Sequence, residues 1–512
     1  MQAAHLIVLI HGLYGDLHNL HEVKSELLAQ AQDPKRISPS AGLDTSVPSR
    51  PQNGSDGKEL LTVVYLPKNI SGARTWDGID VCAQRVAEEV EGEIDRLFDE
   101  GTDVVGFSVM GYSLGGLIAR YIIGLLNARQ PSFFVRHKPI SFSTAATPHL
   151  GILKYDTKTN KIVHAIGKRL FSQTGRQLYC LDHEPEREGR SLLEIMADPD
   201  SIFIHALRLF PRVMLVANGT QDLTVPYPTA SISSTDPFAD PALIDIHVDD
   251  KHIVRSYRMV TAHTLQESEL GGTTLTSSAI EKDIADDVEV TVTTITHRPV
   301  MDVGLAGKKK PFLPPVFFLP LPWPLNYSLL VFIPILLPFA LLYLFIMFVV
   351  HFLQSQKRIR EHRNKQAHQP LAMFPTDPLL LNPFPSLQST PLSSALHRID
   401  TATEDFEDGV STPPILDSLW RDATSAPSLL LTSQQKLMVQ QLNEAIPHAE
   451  RVVAWFPWVY NSHAMLICRS VSRFPWQEDG RGVVKTWAKF VFESGEKVRH
   501  LSTDAVAHGK EQ

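Results

Sequence analysis

"VVGFSVMGYSLGG", residues 104–116, decides how this chain is read. Val104 to Met110 is a short aliphatic run of the kind that forms a buried parallel strand, and "LGGLIARYIIGLL" from Leu114 to Leu126 is a helical pattern that is apolar on most faces. Between them Gly111, Tyr112, Ser113, Leu114 and Gly115 make a G-x-S-x-G turn. A serine on so sharp a strand-to-helix turn must take a strained backbone, and the glycines on either side let the chain pack closely. Its hydroxyl is then exposed above the sheet. The N–H of Leu114, at the start of the helix, can face the oxygen that becomes negative when an ester carbonyl is attacked. Ser113 is therefore the candidate nucleophile, and Gly111 and Gly115 shape its elbow.

The same strand pattern recurs at Leu6 to Ile10, Leu61 to Leu66 and Val213 to Ala217. Helical patterns lie between. In "DVCAQRVAEEVEGEIDRLF", Val81, Val86, Val90, Ile94 and Leu97 fall on one stripe. Strands alternating with helices imply a mostly parallel central sheet flanked by helices. The opening "MQAAHLIVLIHG" reads as the first strand, not as a signal peptide, because its apolar run is short and lacks a basic leader.

A serine nucleophile needs a base, and the base needs an orienting acid, in the chain order serine, acid, histidine for this kind of elbow. "VMLVANGTQDLTVPYPTA" places Asp222 just beyond a strand, and "YNSHAMLICR" places His463 after the apolar and aromatic segment "RVVAWFPWVY". "LIHGLYGD" offers the N–H of Leu13 as a second oxyanion donor, with His11 a structural residue of that loop. His149, in "TAATPHLG", reads as a pocket or loop residue. His247, His252 and His263 stay open as substitutes for His463.

Together "LIHGLYGD", "TWDGID", "GYSLGG", "TAATPHLG", "QDLTVP" and "NSHAMLICR" resemble the serine esterase family of α/β-hydrolases. The likeness is to fungal members similar to a lipid-droplet phospholipase and to monoacylglycerol lipases. It covers residues 3–230 and 433–475. The resemblance implies the α/β-hydrolase fold, Ser113, Asp222 and His463 as the triad, and acyl esters of glycerolipids or phospholipids as substrates. Neither a metal nor an organic cofactor is needed for such chemistry. On this reading residues 151–210 supply a cap, and residues 231–310 and 357–432 are an insertion and a disordered linker. Residues 33–58 are a mobile insertion, and residues 476–512 a C-terminal tail. A catalytically silent scaffold of the same fold, or an acyltransferase using the same serine, remains open.

From Pro311 to Gln356 there are 46 residues with no Asp, Glu, Lys or Arg, among them eight prolines. Lys308, Lys309 and Lys310 precede this run, and Lys357, Arg358, Arg360, Arg363 and Lys365 follow it. Basic residues at both ends favour the same, cytoplasmic side. A single crossing would also part Asp222 from His463. Residues 339–353 would make a helix of about 22 Å, against a hydrocarbon core of about 30 Å. A membrane-inserted re-entrant hairpin bent near Pro334 to Pro338 is therefore expected, with a lipid droplet or the endoplasmic reticulum as the surface. A single span from Tyr327 to Phe352 is the alternative, if an earlier histidine is the base.

Composition excludes other classes. With 48 basic and 56 acidic residues the net charge is −8, and no broad positive field exists to attract nucleic acid. Cys82, Cys180 and Cys468 are too far apart for a zinc motif and odd in number, which fits a reducing compartment.

Overall fold

The computed structural model describes residues 1–31, 49–53, 59–155, 172–183, 187, 189–240, 243–259, 281–283, 328–368 and 429–493. Seven strands form one sheet: β1 (Gln2–Ile10), β2 (Ser49–Asn53), β3 (Glu59–Tyr65), β4 (Thr102–Tyr112), β5 (Lys138–Ala145), β6 (Arg212–Asn218) and β7 (Glu450–Ala454). Their order is β7-β6-β5-β4-β1-β3-β2. Every neighbouring pair is parallel except β2 with β3. This is the mostly parallel, helix-flanked sheet of the α/β-hydrolase fold.

Strand alternation divides the core into two layers. Along β1, Ala4, Leu6, Val8 and Ile10 enter one cluster, while Ile7 and Leu9 enter the other. The strand is buried on both faces, which is why it reads as a continuous aliphatic run. The first layer holds α2 (Ile79–Asp99) and α3 (Leu114–Asn127), with Val86, Val90, Ile94 and Leu97 of the expected stripe in it, and Val81 is buried as well. Of the stretch expected as a cap, the helices Leu192–Ala197 and α4 (Ile202–Leu207) bury their apolar residues in this layer. Gly124 admits the Phe203 ring so closely that a Cβ there would meet it at 2.4 Å. The second layer holds α1 (His21–Ala31) and the chain from Phe456 to Phe492.

Four boundaries differ from the sequence reading. The insertion at residues 33–58 contributes β2, an antiparallel edge strand; "SRPQN" is polar because an edge needs no continuous apolar run. Part of the 231–310 insertion belongs with the sheet, since the hairpin Ile244–Val248 and Val254–Met259 joins β7 through an Ile253–Ala454 bridge. The tail does not begin at residue 476. Residues 481–493 are helical and bury Val483, Val484, Trp487 and Val491, an amphipathic spacing, and Trp487 Nε1 donates to Ser143 Oγ at 2.6 Å. Nor is the linker disordered from residue 357, because α5 (Ser328–His368) continues to His368.

The chain divides into two units, residues 1–285 with 358–512, and residues 286–357. In the second unit the first thirty residues of α5 run unbroken through Pro334 and Pro338, so the expected bend is absent. Each proline removes one backbone hydrogen bond, and the helix nevertheless runs through both. Leu337, Phe339, Leu342, Tyr343, Phe345, Ile346 and Leu353 are exposed. Among the described residues no helix is long and apolar enough to cross a membrane. In the first unit the end of α5 packs on α2: Ile359 is buried, and His362 hydrogen bonds Gln84.

Trp487 is 2% exposed and its indole is hydrogen bonded. Trp487→Ala is expected to lower the unfolding free energy by about 3–5 kcal/mol, read from the denaturation midpoint in urea. A change within about 0.5 kcal/mol would put residues 481–493 outside the folded core.

Candidate active site

The loops that leave the carboxyl ends of β1, β4, β6 and β7 meet above the sheet, where ligand sites of parallel sheets form. β4 ends at Tyr112, and Ser113 turns the chain into α3 with φ 55° and ψ −128°. A non-glycine residue is seldom held there, and the surroundings fix it. Ser113 N–H donates to Ala145 O at 2.8 Å. The elbow glycines answer to close approach: a Cβ on Gly111 would meet Gly115 O at 2.3 Å, and one on Gly115 would meet Ile10 O at 2.2 Å. Both contacts are with backbone, so neither can yield.

His463 begins a short 3-10 helix, His463–Ile467, in the loop after β7. Its Nε2 lies 3.1 Å from Ser113 Oγ, and its Nδ1 lies 2.9 Å from Asp222 Oδ2. An ionised carboxylate only accepts, so Nδ1 carries the hydrogen and Nε2 presents its lone pair to the serine hydroxyl. The structure thus brings together all three residues singled out from the sequence. Burial alone would push the Asp222 carboxyl up. The charge of His463, its hydrogen bond, the Val225 N–H and the Asn218 amide together outweigh burial and hold Asp222 below its ordinary value. Those bonds measure 2.8 Å from Val225 N and 2.9 Å from Asn218 Nδ2, with a further one of 3.0 Å from Thr224 N.

The loop carrying Leu13 lies directly against the nucleophile, since a Cβ on Gly12 would meet Ser113 Cβ at 2.7 Å. Leu114 stands in the first turn of α3, where a helix leaves its amides without intrahelical partners. His11 is buried, with Nδ1 3.0 Å from Gly12 O, and burial lowers its pKa despite that bond.

The other histidines stand apart. His149 is fully buried, and desolvation, then the charges of Arg120 and Arg451, drive its pKa far down. It therefore stays neutral: Nδ1 accepts from Arg120 at 3.4 Å, so Nε2 donates to Thr144 Oγ1 at 2.9 Å. Arg120, whose own pKa burial pushes down to about 10, also donates to Met196 O at 2.9 Å and so ties the loop after β5 to the helix at Leu192–Ala197. The His252 ring packs on Phe456 and Trp458, with centroids 5.5 and 5.0 Å away. His247 sits on the hairpin strand Ile244–Val248, and His263 lies outside the described residues.

Sequence reading passed over the residues that hold the base in place. Tyr112, the variable position before the serine, donates its hydroxyl to His463 O at 3.1 Å, and its ring lies 5.0 Å from the imidazole. Ser462 joins the base loop to the acid loop, with Oγ donating to Thr220 O at 2.7 Å and N–H to Gln221 O at 2.8 Å. Their proximity to motif residues was the one available signal. Among the described residues no group of three or more His, Cys, Asp or Glu side chains is placed to hold a metal ion.

Residues 1–235 match the family model described as "Putative serine esterase (DUF676)". This part of the chain is similar to that family. The matched residues include Leu13, Ser113 and Asp222, while His463 lies beyond them and is brought in by the fold. Among the relatives of this chain, "Putative lipase C4A8.10" of Schizosaccharomyces pombe is 26% identical over 234 residues, 45% of this chain. "Putative lipase ROG1" of Saccharomyces cerevisiae is 34% identical over 228 residues, 44% of this chain. The chain spans only 26% and 28% of the lengths of these two relatives. The crystal structure of a "putative cell surface hydrolase" from Lactobacillus plantarum is 14% identical and covers 44% of this chain and 74% of its own. Its TM-score of 0.23 is too low to support any assignment.

Asp222 is held below its ordinary value of 3.8, so its ionised form adds stability. That contribution is complete above the unfolded value and is lost as pH falls below it through the folded value. The stability margin of wild type over Asp222→Asn is therefore expected to be constant above about pH 5 and to shrink below 3.8, measured by urea unfolding at a series of pH values. A margin that grows on acidification would contradict the arrangement around the carboxylate.

Proposed function

We propose that this chain is a serine hydrolase that cleaves acyl esters of glycerolipids at a lipid surface. The observation that carries the proposal is the continuous line from Ser113 Oγ through His463 to Asp222, with separations of 3.1 and 2.9 Å. Ser113 Oγ attacks the ester carbonyl carbon and its proton passes to His463 Nε2. Asp222 holds the imidazole and stabilises its charge. The N–H groups of Leu13 and Leu114 receive the negative oxygen. When the tetrahedral intermediate collapses, the carbon–oxygen bond to the glycerol side breaks and His463 returns the proton to the departing alcohol. Water then repeats the sequence on the acyl-enzyme, giving the fatty acid and free Ser113.

The serine esterase family of residues 1–235 and the lipase names of the yeast relatives support ester hydrolysis and a lipid substrate. A lipid surface as the place of work is supported by the exposed apolar side chains of α5, Leu337, Phe339, Leu342, Phe345 and Ile346 among them. So many on one element would not remain in water without cost. We place the catalytic unit on the cytoplasmic face of a lipid droplet or of the endoplasmic reticulum, in keeping with three unpaired cysteines.

The decisive experiment measures fatty-acid release from phospholipids, lysophospholipids, monoacylglycerols and triacylglycerols presented on droplets. Ser113→Ala is expected to reduce release by at least about 10⁴-fold and to abolish labelling by a fluorophosphonate probe. A folded wild type that neither releases acid nor takes the label would identify a silent scaffold. Transfer of the acyl group to an added alcohol in preference to water would identify an acyltransferase.

Replacing Phe339, Leu342 and Phe345 together by Asp is expected to lower co-flotation with droplets by about tenfold or more, while probe labelling of Ser113 is retained. Undiminished flotation would remove α5 from the lipid contact.

A further inference from the structure

Arg358 stands on α5 at the return of the chain to the catalytic unit. Its guanidinium grips the short 3-10 helix Gly72–Trp76 at two points. Nε and Nη2 donate to the two oxygens of Asp77 at 2.7 and 2.8 Å, and Nη2 donates to Ala73 O at 3.0 Å. The Asp77 side chain has no exposure and takes a second cation, Arg85, at 2.8 Å. Asp77 N–H closes the turn on Arg74 O at 3.2 Å. Arg358 therefore fixes both the beginning and the end of this turn.

The far side of the turn holds the loop that carries Leu13. Thr75 Oγ1 accepts from Tyr14 N–H at 2.9 Å and donates to Gly72 O at 2.7 Å, while Gly72 N–H donates to Gly15 O at 2.8 Å. Tyr14 follows Leu13 directly and has φ 54°, a backbone setting that a residue with a side chain keeps only when held. Thr75 is fully buried, so its hydroxyl has no solvent to turn to and is held to Tyr14 N–H and Gly72 O. A line of partly buried hydrogen bonds thus runs from the guanidinium to the amide next to the oxyanion donor. An arginine is the residue that suits the start of that line. Its planar fork binds both carboxylate oxygens and still reaches a carbonyl, which the point charge of a lysine cannot do at once.

We propose that Arg358 is a positioning residue for ester hydrolysis, supplied by the returning end of α5, which sets the Leu13 amide through Asp77 and the Gly72–Trp76 turn. This rests on the serine-hydrolase reading given above and extends it. The Leu13 loop is then not self-sufficient. Its geometry depends on a residue 345 positions later in the chain, and an oxyanion donor displaced by a fraction of an ångström loses much of its worth in the transition state.

The test uses the full chain and a water-soluble p-nitrophenyl ester, so that attachment to lipid plays no part. Arg358→Ala leaves Asp77 paired with Arg85 and is expected to fold. Its kcat should fall about 10- to 100-fold with KM within about twofold, since the donor acts on the transition state and not on ground-state binding. Arg358→Lys should recover only part of the loss, and added guanidinium ion at millimolar concentration should restore kcat in Arg358→Ala but not in wild type. Thr75→Val cuts the same line at its other end. The double variant Arg358→Ala, Thr75→Val should lose little more than the worse single variant, whereas independent effects would multiply. An Arg358→Ala enzyme as active as wild type, a loss matched by a rise in KM, a loss that guanidinium does not relieve, or multiplying losses would each overturn the proposal. A folded wild type without esterase activity would overturn it together with the hydrolase reading, and that outcome differs from all the others.

Discussion

The hydrogen bond between His463 and Asp222 joins residues 241 positions apart, and the rest of the architecture answers to it. Each partner alone is an ordinary loop residue. Together they require that the chain leave the sheet after β6 and return as its immediate neighbour, β7, with both strands pointing the same way. The two loops are then tied at their bases by Ser462 to Thr220 and Gln221, and the strand ends by Gly219 N–H to Ala454 O at 2.8 Å. Closing a long loop costs little more than closing a short one, because the entropy grows only with the logarithm of length. A very large insertion between acid and base is therefore tolerable, provided its two ends stay in register.

Much of this was legible because buried parallel strands leave no room for polar residues. Leu6 to Ile10, Leu61 to Leu66, Val104 to Met110 and Val213 to Ala217 all became strands of one sheet, and the elbow at Ser113 lies where the β4-to-α3 boundary demanded it. Chain order then singled out Asp222 and His463, which the structure holds within hydrogen-bond reach of one another. What escaped notice did so for physical reasons. β2 is polar because it is an edge strand, and the Val483 to Val491 helix had the right spacing but followed a segment without strand character. Prolines 334 and 338 argued for a bend, yet the helix runs through both, because a proline costs a helix one bond without forcing the chain to reverse. The Arg358–Asp77 pair spans 281 positions, and neither residue carries a local sign of the other.

The polar framework around the triad follows a division of labour. Ser113 and His463 sit at the loop tips and are slightly exposed at 8% and 7%, so neither the hydroxyl nor the imidazole is sealed from solvent. Groups that only hold position are buried and bonded several times over. Arg120 and His149 stitch the loop after β5 from below, and the Tyr112 hydroxyl holds the base loop from the side. A buried cation with no carboxylate beside it is costly. Arg120 is accommodated by carbonyl oxygens and a neutral imidazole, an arrangement that fixes backbone position without a buried carboxylate.

The return of the chain as β7 also sets a sequence of events during synthesis. A ribosome completes the nucleophile elbow, the acid loop and the apolar half of α5 before β7 exists. Until residue 463 has emerged, the nascent protein holds a serine and a carboxylate with no imidazole between them. The contact of Ser113, His463 and Asp222 is completed late, after the most apolar segment of the chain has already left the exit tunnel. A chain ordered in this way presents its most apolar helix before its serine, histidine and aspartate can meet.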